Sequence, residues 1–186
     1  MTTSEKPLIV LGVTGGIACY KAADLCSKLI QHGYAVQVIM TENSQQFVGK
    51  LTFQTLSQNP VVCGIFDSPE VWKPEHVALA ERASLLLVAP CTANFIGKIA
   101  SGIADDALTT FAITCHSPVL LAPAMNPDMW SNPAVTDNCT TLRKRGINFI
   151  GPNSGHVACG ANTSPGRMSE PLEILAAVQM LIPNNQ

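Results

Sequence analysis

Two runs hold the residues best able to do chemistry. The first is Pro123-Ala124-Met125-Asn126-Pro127-Asp128-Met129-Trp130, and the second pairs Ala158-Cys159-Gly160 with Gly166-Arg167-Met168 downstream. An asparagine between two methionines offers a directional hydrogen-bonding amide in an apolar wall, which suits gripping a small polar group away from water. The first run follows apolar residues 119–122, which read as a buried strand. A loop leaving the end of such a strand is where open α/β sheets place ligands. Cys159 lies among small residues on a stretch rich in Gly, Ser and Pro, a loop able to move over a site. The two runs predict a pocket with a lid and a thiol on the lid.

Two more loops carry polar small residues. Gly12-Val13-Thr14-Gly15-Gly16-Ile17 joins a first strand to a first helix, and its glycines let backbone N–H groups approach a phosphate at the helix N-terminus. The spacing is not that of a dinucleotide fingerprint, and the GK[ST] of a P-loop is absent. The second strand ends at Thr41, where a dinucleotide site wants an acid for the ribose diol. A mononucleotide or another phosphorylated ligand fits better, with a plain tight turn as the alternative. Pro90-Cys91-Thr92-Ala93-Asn94-Phe95 follows a later strand, and Thr92 is placed to cap the next helix and to help hold a phosphate. In a doubly wound sheet the ends 14–16, 91–95 and 123–126 face the same side.

These loops need a frame, and apolar runs alternate with helix-like segments throughout. Strands are predicted at 8–13, 35–40, 61–63, 85–89, 119–122 and 148–150. Helices are predicted at 17–30, 45–58, 76–83, 94–103, 106–114, 132–145 and 170–182. Pro171 fits the first turn of the last helix, where its missing N–H costs nothing. Continuous apolar strands separated by helices imply a parallel sheet covered on both faces. The expected fold is one α/β domain over residues 1–186, a doubly wound, Rossmann-like or flavodoxin-like sheet. Residues 151–167 read as a long loop, longer than a compact domain keeps without purpose.

The bulk composition narrows the partners. Of 186 residues, 47% are hydrophobic and 13% charged, against a typical charged share of roughly 25%. So little charge suggests a surface covered by copies of the same chain. Net charge is −2, and the one basic cluster, Arg143-Lys144-Arg145, reads as positive charge at a helix C-terminus, so nucleic-acid binding is not expected. No signal peptide is expected, and no apolar stretch reaches the roughly 20 residues of a membrane span. The seven cysteines (19, 26, 63, 91, 115, 139 and 159) are scattered and form no CxxC pair, so neither a metal site nor a disulfide framework is predicted. Most read as reduced, buried side chains of a cytoplasmic protein, Cys159 excepted. His32, His116 and, on spacing alone, His76 and His156 read as surface or structural residues. The neighbours Asp105 and Asp106 are expected to point apart, with capping of the following helix their better use.

Together these motifs make the chain resemble the homo-oligomeric flavin-containing cysteine decarboxylases. The carriers are 12–18, His76, 90–94, the Pro-Ala-Met-Asn-x-x-Met-Trp run at 123–130, and the Ala-Cys-Gly…Gly-Arg-Met stretch at 158–168, in order from about residue 7 to 182. The resemblance implies bound FMN. Gly15, Gly16 and Ile17 match the first phosphate turn; Thr41, Glu42 and Asn43 match the second strand end. Thr92, Ala93, Asn94 and Phe95 match the second flavin loop, and Ala124 a backbone contact beside the flavin. It implies His76 as the active-site histidine and Asn126 as the holder of the substrate carboxylate. It also implies Cys159 as the clamp cysteine, with Met129, His156, Val157 and Ala158 beside the substrate. Cys91 and Phe95 stand where the family usually has Ala and Thr, and the clamp, within about 151–168, lacks a middle glycine and is one residue longer.

The branch implied takes 4′-phosphopantothenoylcysteine to 4′-phosphopantetheine in coenzyme A biosynthesis. Oxidation of the thiol-bearing carbon to a thioaldehyde creates an electron sink, carbon dioxide leaves, and the ene-thiolate is protonated and reduced. The resemblance also implies a trimer or a dodecamer, with flavin near the subunit contact, and a separate ligase to supply substrate. One alternative is a peptidyl-cysteine decarboxylase of antibiotic maturation, against which Cys159 speaks. Another is a non-catalytic regulatory flavoprotein, against which the lack of an acidic tail speaks. A prenyl-flavin synthase of similar fold would lack the 123–130 run.

Overall fold

The computed structural model describes residues 6–64, 75–155 and 164–183. Five parallel strands form the central sheet: β1 (Leu8–Val13), β2 (Ala35–Met40), β3 (Ala83–Cys91), β4 (Val119–Pro123) and β5 (Asn148–Phe149). Their order is β2-β1-β3-β4-β5. The chain starts in the middle, moves to one edge, then crosses back over β1, so the winding direction reverses between β1 and β3. That reversal is the switch point at which such sheets open a crevice.

Why the strands are buried on both faces is visible in their side-chain alternation. From β1, Ile9, Leu11 and Val13 enter one core layer while Val10 enters the other. The first layer is closed by α1 (Cys19–Gln31), α2 (Lys50–Ser57) and α8 (Pro171–Leu181), through Leu25, Phe53, Ile174 and Val178. The second is closed by α3 (Glu75–Arg82), α4 (Ala93–Ala100), α5 (Ala107–Thr114) and α7 (Pro133–Lys144), through Ala80, Ile96, Phe111 and Leu142. The doubly wound α/β reading is therefore the observed architecture.

Several sequence expectations are corrected. The predicted helix at 45–58 is two pieces, a 3-10 turn at Glu42–Gln46 and α2, because the chain passes through extended backbone at Gly49. The predicted strand at 61–63 makes only a single bridge, Val62 to Ile39. A short helix, α6 (Pro127–Trp130), precedes α7 and was not anticipated. The stretch 151–167 is not all loop: β6 (Asn153–Ser154) and β7 (Pro165–Arg167) pair antiparallel. Two- and three-residue strands carry too few side chains to show a period of two.

Candidate active site

The loops at the C-terminal ends of four strands meet in one place. A chain of hydrogen bonds ties each to the next. Thr41 N–H donates to Val13 O at 3.0 Å, joining the ends of β2 and β1. The Thr14 hydroxyl donates to Pro90 O at 2.7 Å and accepts from Thr92 N–H at 3.0 Å, joining β1 to β3. Ala124 N–H donates to Cys91 O at 3.0 Å, and Met125 N–H to Gly166 O at 2.9 Å, adding β4 and then the ribbon. Above this row lies a cavity of about 920 Å³.

Every predicted flavin contact lies on that cavity: Gly15, Gly16 and Ile17; Thr41, Glu42 and Asn43; Thr92, Ala93, Asn94 and Phe95; and Ala124. Glycine is needed at the first turn for two different reasons. A Cβ at Gly15 would lie 2.5 Å from Asn43 Cβ, so the turn packs directly against the β2 loop. A Cβ at Gly16 would meet only the Thr92 methyl, at 3.9 Å, and would otherwise project into open space. Among the described residues the N–H groups of Gly15, Gly16 and Ile17 find no protein acceptor. Thr92 caps α4, its side chain accepting from Phe95 N–H at 3.5 Å, and leaves the Ala93 and Asn94 N–H groups at the helix start. Among the described residues neither set has a protein acceptor, and two such sets of donors on one cavity suit a phosphate. Ile17, Phe95, Met125 and Met168 add apolar wall for a flat ring. The residues present thus fit a phosphorylated flavin.

Asn126 also lies on the cavity, as does Met129. Its Oδ1 accepts from Asp128 N–H at 2.8 Å and so caps α6. With the oxygen spent on the cap, the amide NH₂ is the end left for a ligand, and a donor is what a carboxylate wants. The ribbon comes close here for a steric reason: a Cβ at Gly166 would sit 2.5 Å from Met125 O. β7 therefore lies against the loop that bears Asn126.

His76 belongs to α3, but its side chain lies outside the described residues, as do His156, Val157, Ala158 and Cys159. The other six cysteines are free thiols. Burial pushes the Cys26 thiol up to about 11 and the Cys91 thiol well above its usual range, so both remain protonated and inert at neutral pH.

Two charged groups on the cavity were not anticipated. Lys98 Nζ holds Asp105 at 2.7 Å and Asp106 at 3.1 Å, so these neighbouring carboxylates converge rather than point apart. Asp106 does cap α5 as expected, accepting from Thr109 N–H at 2.8 Å. Burial works to raise the Asp106 pKa, but bonds from Thr109 and Lys98 outweigh it and hold the carboxyl below its usual range. Lys21, almost wholly buried, bonds Glu170 at 2.9 Å, and Glu170 also pairs with Arg167. The Lys21 bond, above all, draws the Glu170 carboxyl below the usual range. A buried lysine on the apolar face of α1 was the available signal for this pair; nothing local announces the Lys98 contacts.

A parallel α/β sheet with a cavity and backbone donors suited to a phosphate at its switch point fits a class, the mononucleotide-binding doubly wound proteins. Within it, residues 1–183 match the family model described as Flavoprotein, and the chain belongs to that family. It is 43% identical over 179 residues to the coenzyme A biosynthesis bifunctional protein CoaBC of Mycolicibacterium smegmatis, a match over 96% of this chain and 42% of that protein. The chain thus spans about two fifths of the length of the curated relatives it matches. Among solved structures, a mutant of PPC decarboxylase complexed with pantothenoylaminoethenethiol is similar, with a TM-score of 0.83 and 30% identity over 95% of this chain and 98% of that one. The FMN binding protein AtHal3 is similar too, with a TM-score of 0.81 and 31% identity over 96% of this chain and 97% of that one.

Proposed function

We propose that this chain is an FMN-dependent decarboxylase that converts 4′-phosphopantothenoylcysteine into 4′-phosphopantetheine in coenzyme A biosynthesis. The observation that carries the reading is Asn126: its oxygen is spent on the α6 cap, so its NH₂ is the end left to grip a cysteine carboxylate on the cavity that the Gly15–Ile17 turn and the α4 start also line. The likeness to CoaBC and to the PPC decarboxylase complex supports the choice of substrate. The likeness to an FMN binding protein supports the cofactor.

The phosphate of FMN would rest between the turn at Gly15, Gly16 and Ile17 and the α4 start at Ala93 and Asn94. When bound, FMN supplies reversible hydride acceptance, which makes the thiol-bearing carbon an electron sink for loss of carbon dioxide. Asn126 donates to the substrate carboxylate and fixes its orientation. His76 serves as acid or base near the carboxylate or thiol, because an imidazole titrates near neutrality. Cys159 gives its proton to the ene-thiolate after carbon dioxide has left. Met129, His156, Val157 and Ala158 close around the substrate. The reaction is placed in the cytoplasm, and the chain self-associates as a trimer or as trimers gathered into a dodecamer.

The deciding experiment is anaerobic incubation of the purified protein with 4′-phosphopantothenoylcysteine, followed by mass spectrometry of the product. Phosphopantetheine, lighter by one carbon dioxide, is expected. A product lighter by two further hydrogens would transfer the assignment to a peptidyl-cysteine decarboxylase type of chemistry. Unchanged substrate with flavin bound would overturn it in favour of a regulatory flavoprotein.

A further inference from the structure

We propose that Thr14 is a positioning residue for the cofactor phosphate: its hydroxyl pins together the two halves of the cradle without touching the phosphate, and so sets the preference for a phosphorylated flavin over the unphosphorylated one. This rests on the FMN reading above. Thr14 is 2% exposed. Its hydroxyl carries one proton, and that proton is committed to Pro90 O at 2.7 Å. A phosphate oxygen only accepts, so the hydroxyl has nothing left to donate to it. What it does instead is accept the Thr92 N–H at 3.0 Å.

The position of this bond matters more than its strength. At the switch point β1 feeds α1 on one face of the sheet and β3 feeds α4 on the other. The connections leave in opposite directions, and the crevice between them is the cradle. Elsewhere along the row the strand ends are joined by backbone bonds of 3.0 Å, Thr41 to Val13 and Ala124 to Cys91. Past the ladder, which runs as far as Gly12 and Val88, the described backbone bond between the β1 and β3 ends is Thr14 N–H to Pro90 O, at 3.3 Å. The two shorter links there both run through the Thr14 side chain. Thr92 in turn caps α4, so the direction of the Ala93 and Asn94 N–H groups follows from where Thr92 is held. The side chain of Thr14 therefore sets the spacing between the Gly16 turn and the α4 start.

The test is a pair of flavin titrations on the purified, flavin-stripped full chain, with quenching of flavin fluorescence read for FMN and for riboflavin. The ratio of the two dissociation constants isolates the phosphate. The wild-type chain is expected to prefer FMN. Thr14→Ser keeps the hydroxyl and should hold that ratio within about twofold, whereas Thr14→Val keeps the shape and should lose it by on the order of tenfold or more, with riboflavin affinity little changed. Thr14→Ala gives the same comparison should the valine variant not fold. A valine or alanine variant that melts earlier but keeps the ratio would make Thr14 merely structural and overturn the proposal. Equal loss in Thr14→Ser would overturn it too, since the methyl and not the hydroxyl would then matter. A wild-type chain that binds FMN no better than riboflavin would be a different failure, because the cradle itself would fall and Thr14 with it.

Discussion

Asn126 does two jobs with one amide, and the two can be separated. Its oxygen caps α6, which leaves the NH₂ for a ligand of the cavity that Asn126 lines. Asn126→Asp keeps a capping oxygen, which costs the helix little. It also replaces a donor with a negative charge where, on the proposed function, a carboxylate binds. The variant is expected to melt within about 1 kcal/mol of wild type and to bind FMN normally. Its kcat/KM should fall by on the order of a hundredfold or more, as a lost charge-assisted bond becomes a repulsion. Unimpaired turnover would remove Asn126 from carboxylate binding. The adjacent glycines give a second contrast. A side chain at Gly16 enters the open cradle, so Gly16→Val should fold and lose FMN. A Cβ at Gly15 meets Asn43 at 2.5 Å, so Gly15→Ala should lower stability by about 1–3 kcal/mol in the flavin-free protein as well. Thermal melts of both variants with and without FMN distinguish the two outcomes.

At the level of elements, the start of α5 is set by a charge. Asp106 accepts from Thr109 and Lys98, and its folded pKa lies below the usual value. A carboxyl depressed by folding contributes stability that is fully present above its unfolded pKa, about 3.9, and lost as pH falls through the folded value. Asp106→Asn retains a capping side chain but not the charge, so it should be less stable than wild type near pH 7 by about 1 kcal/mol. That difference should shrink toward zero as pH drops below about 4. A gap that stays constant down to strongly acid pH would show that the charge plays no part.

The elements differ in how readable they were. The strands β1 and β2 match their predicted bounds because each is a continuous apolar run between turn residues. The loops that line the cavity were readable because strand ends, glycines and a capping threonine leave local marks. The break before α2 was not, since Phe47, Leu51 and Thr55 recur at helical spacing across residues whose backbone is not one helix, and all three are exposed while Phe53 is the apolar side chain that α2 buries. Nor was the meeting of Lys98 with Asp105 and Asp106, which depends on how the turn between α4 and α5 folds back on α4, or the Thr14 crosslink, which depends on loops distant in the chain being brought together.

Over the whole molecule, low charge and exposed apolar side chains point the same way. Ile17 and Tyr20 border the cavity yet are 61% and 62% exposed, and Leu51 on α2, the helix packed beside α1, is 74% exposed. Large apolar side chains at the mouth of a ligand site are costly to leave in water, at roughly 1.5–3 kcal/mol each when fully exposed. A second copy of the chain covering them would bury that area and close the cofactor site at once. On the proposed trimeric assembly, sedimentation of the purified protein should show a trimer or a multiple of it, and Tyr20→Lys with Leu51→Lys should shift it toward monomer. Because Tyr20 edges the cavity, the dissociated form should also bind FMN more weakly, by on the order of tenfold for a lost apolar contact of that size. A monomer that keeps full FMN affinity would separate the two effects, leaving the cradle formed by Gly15, Gly16, Thr92 and their neighbours sufficient within one chain.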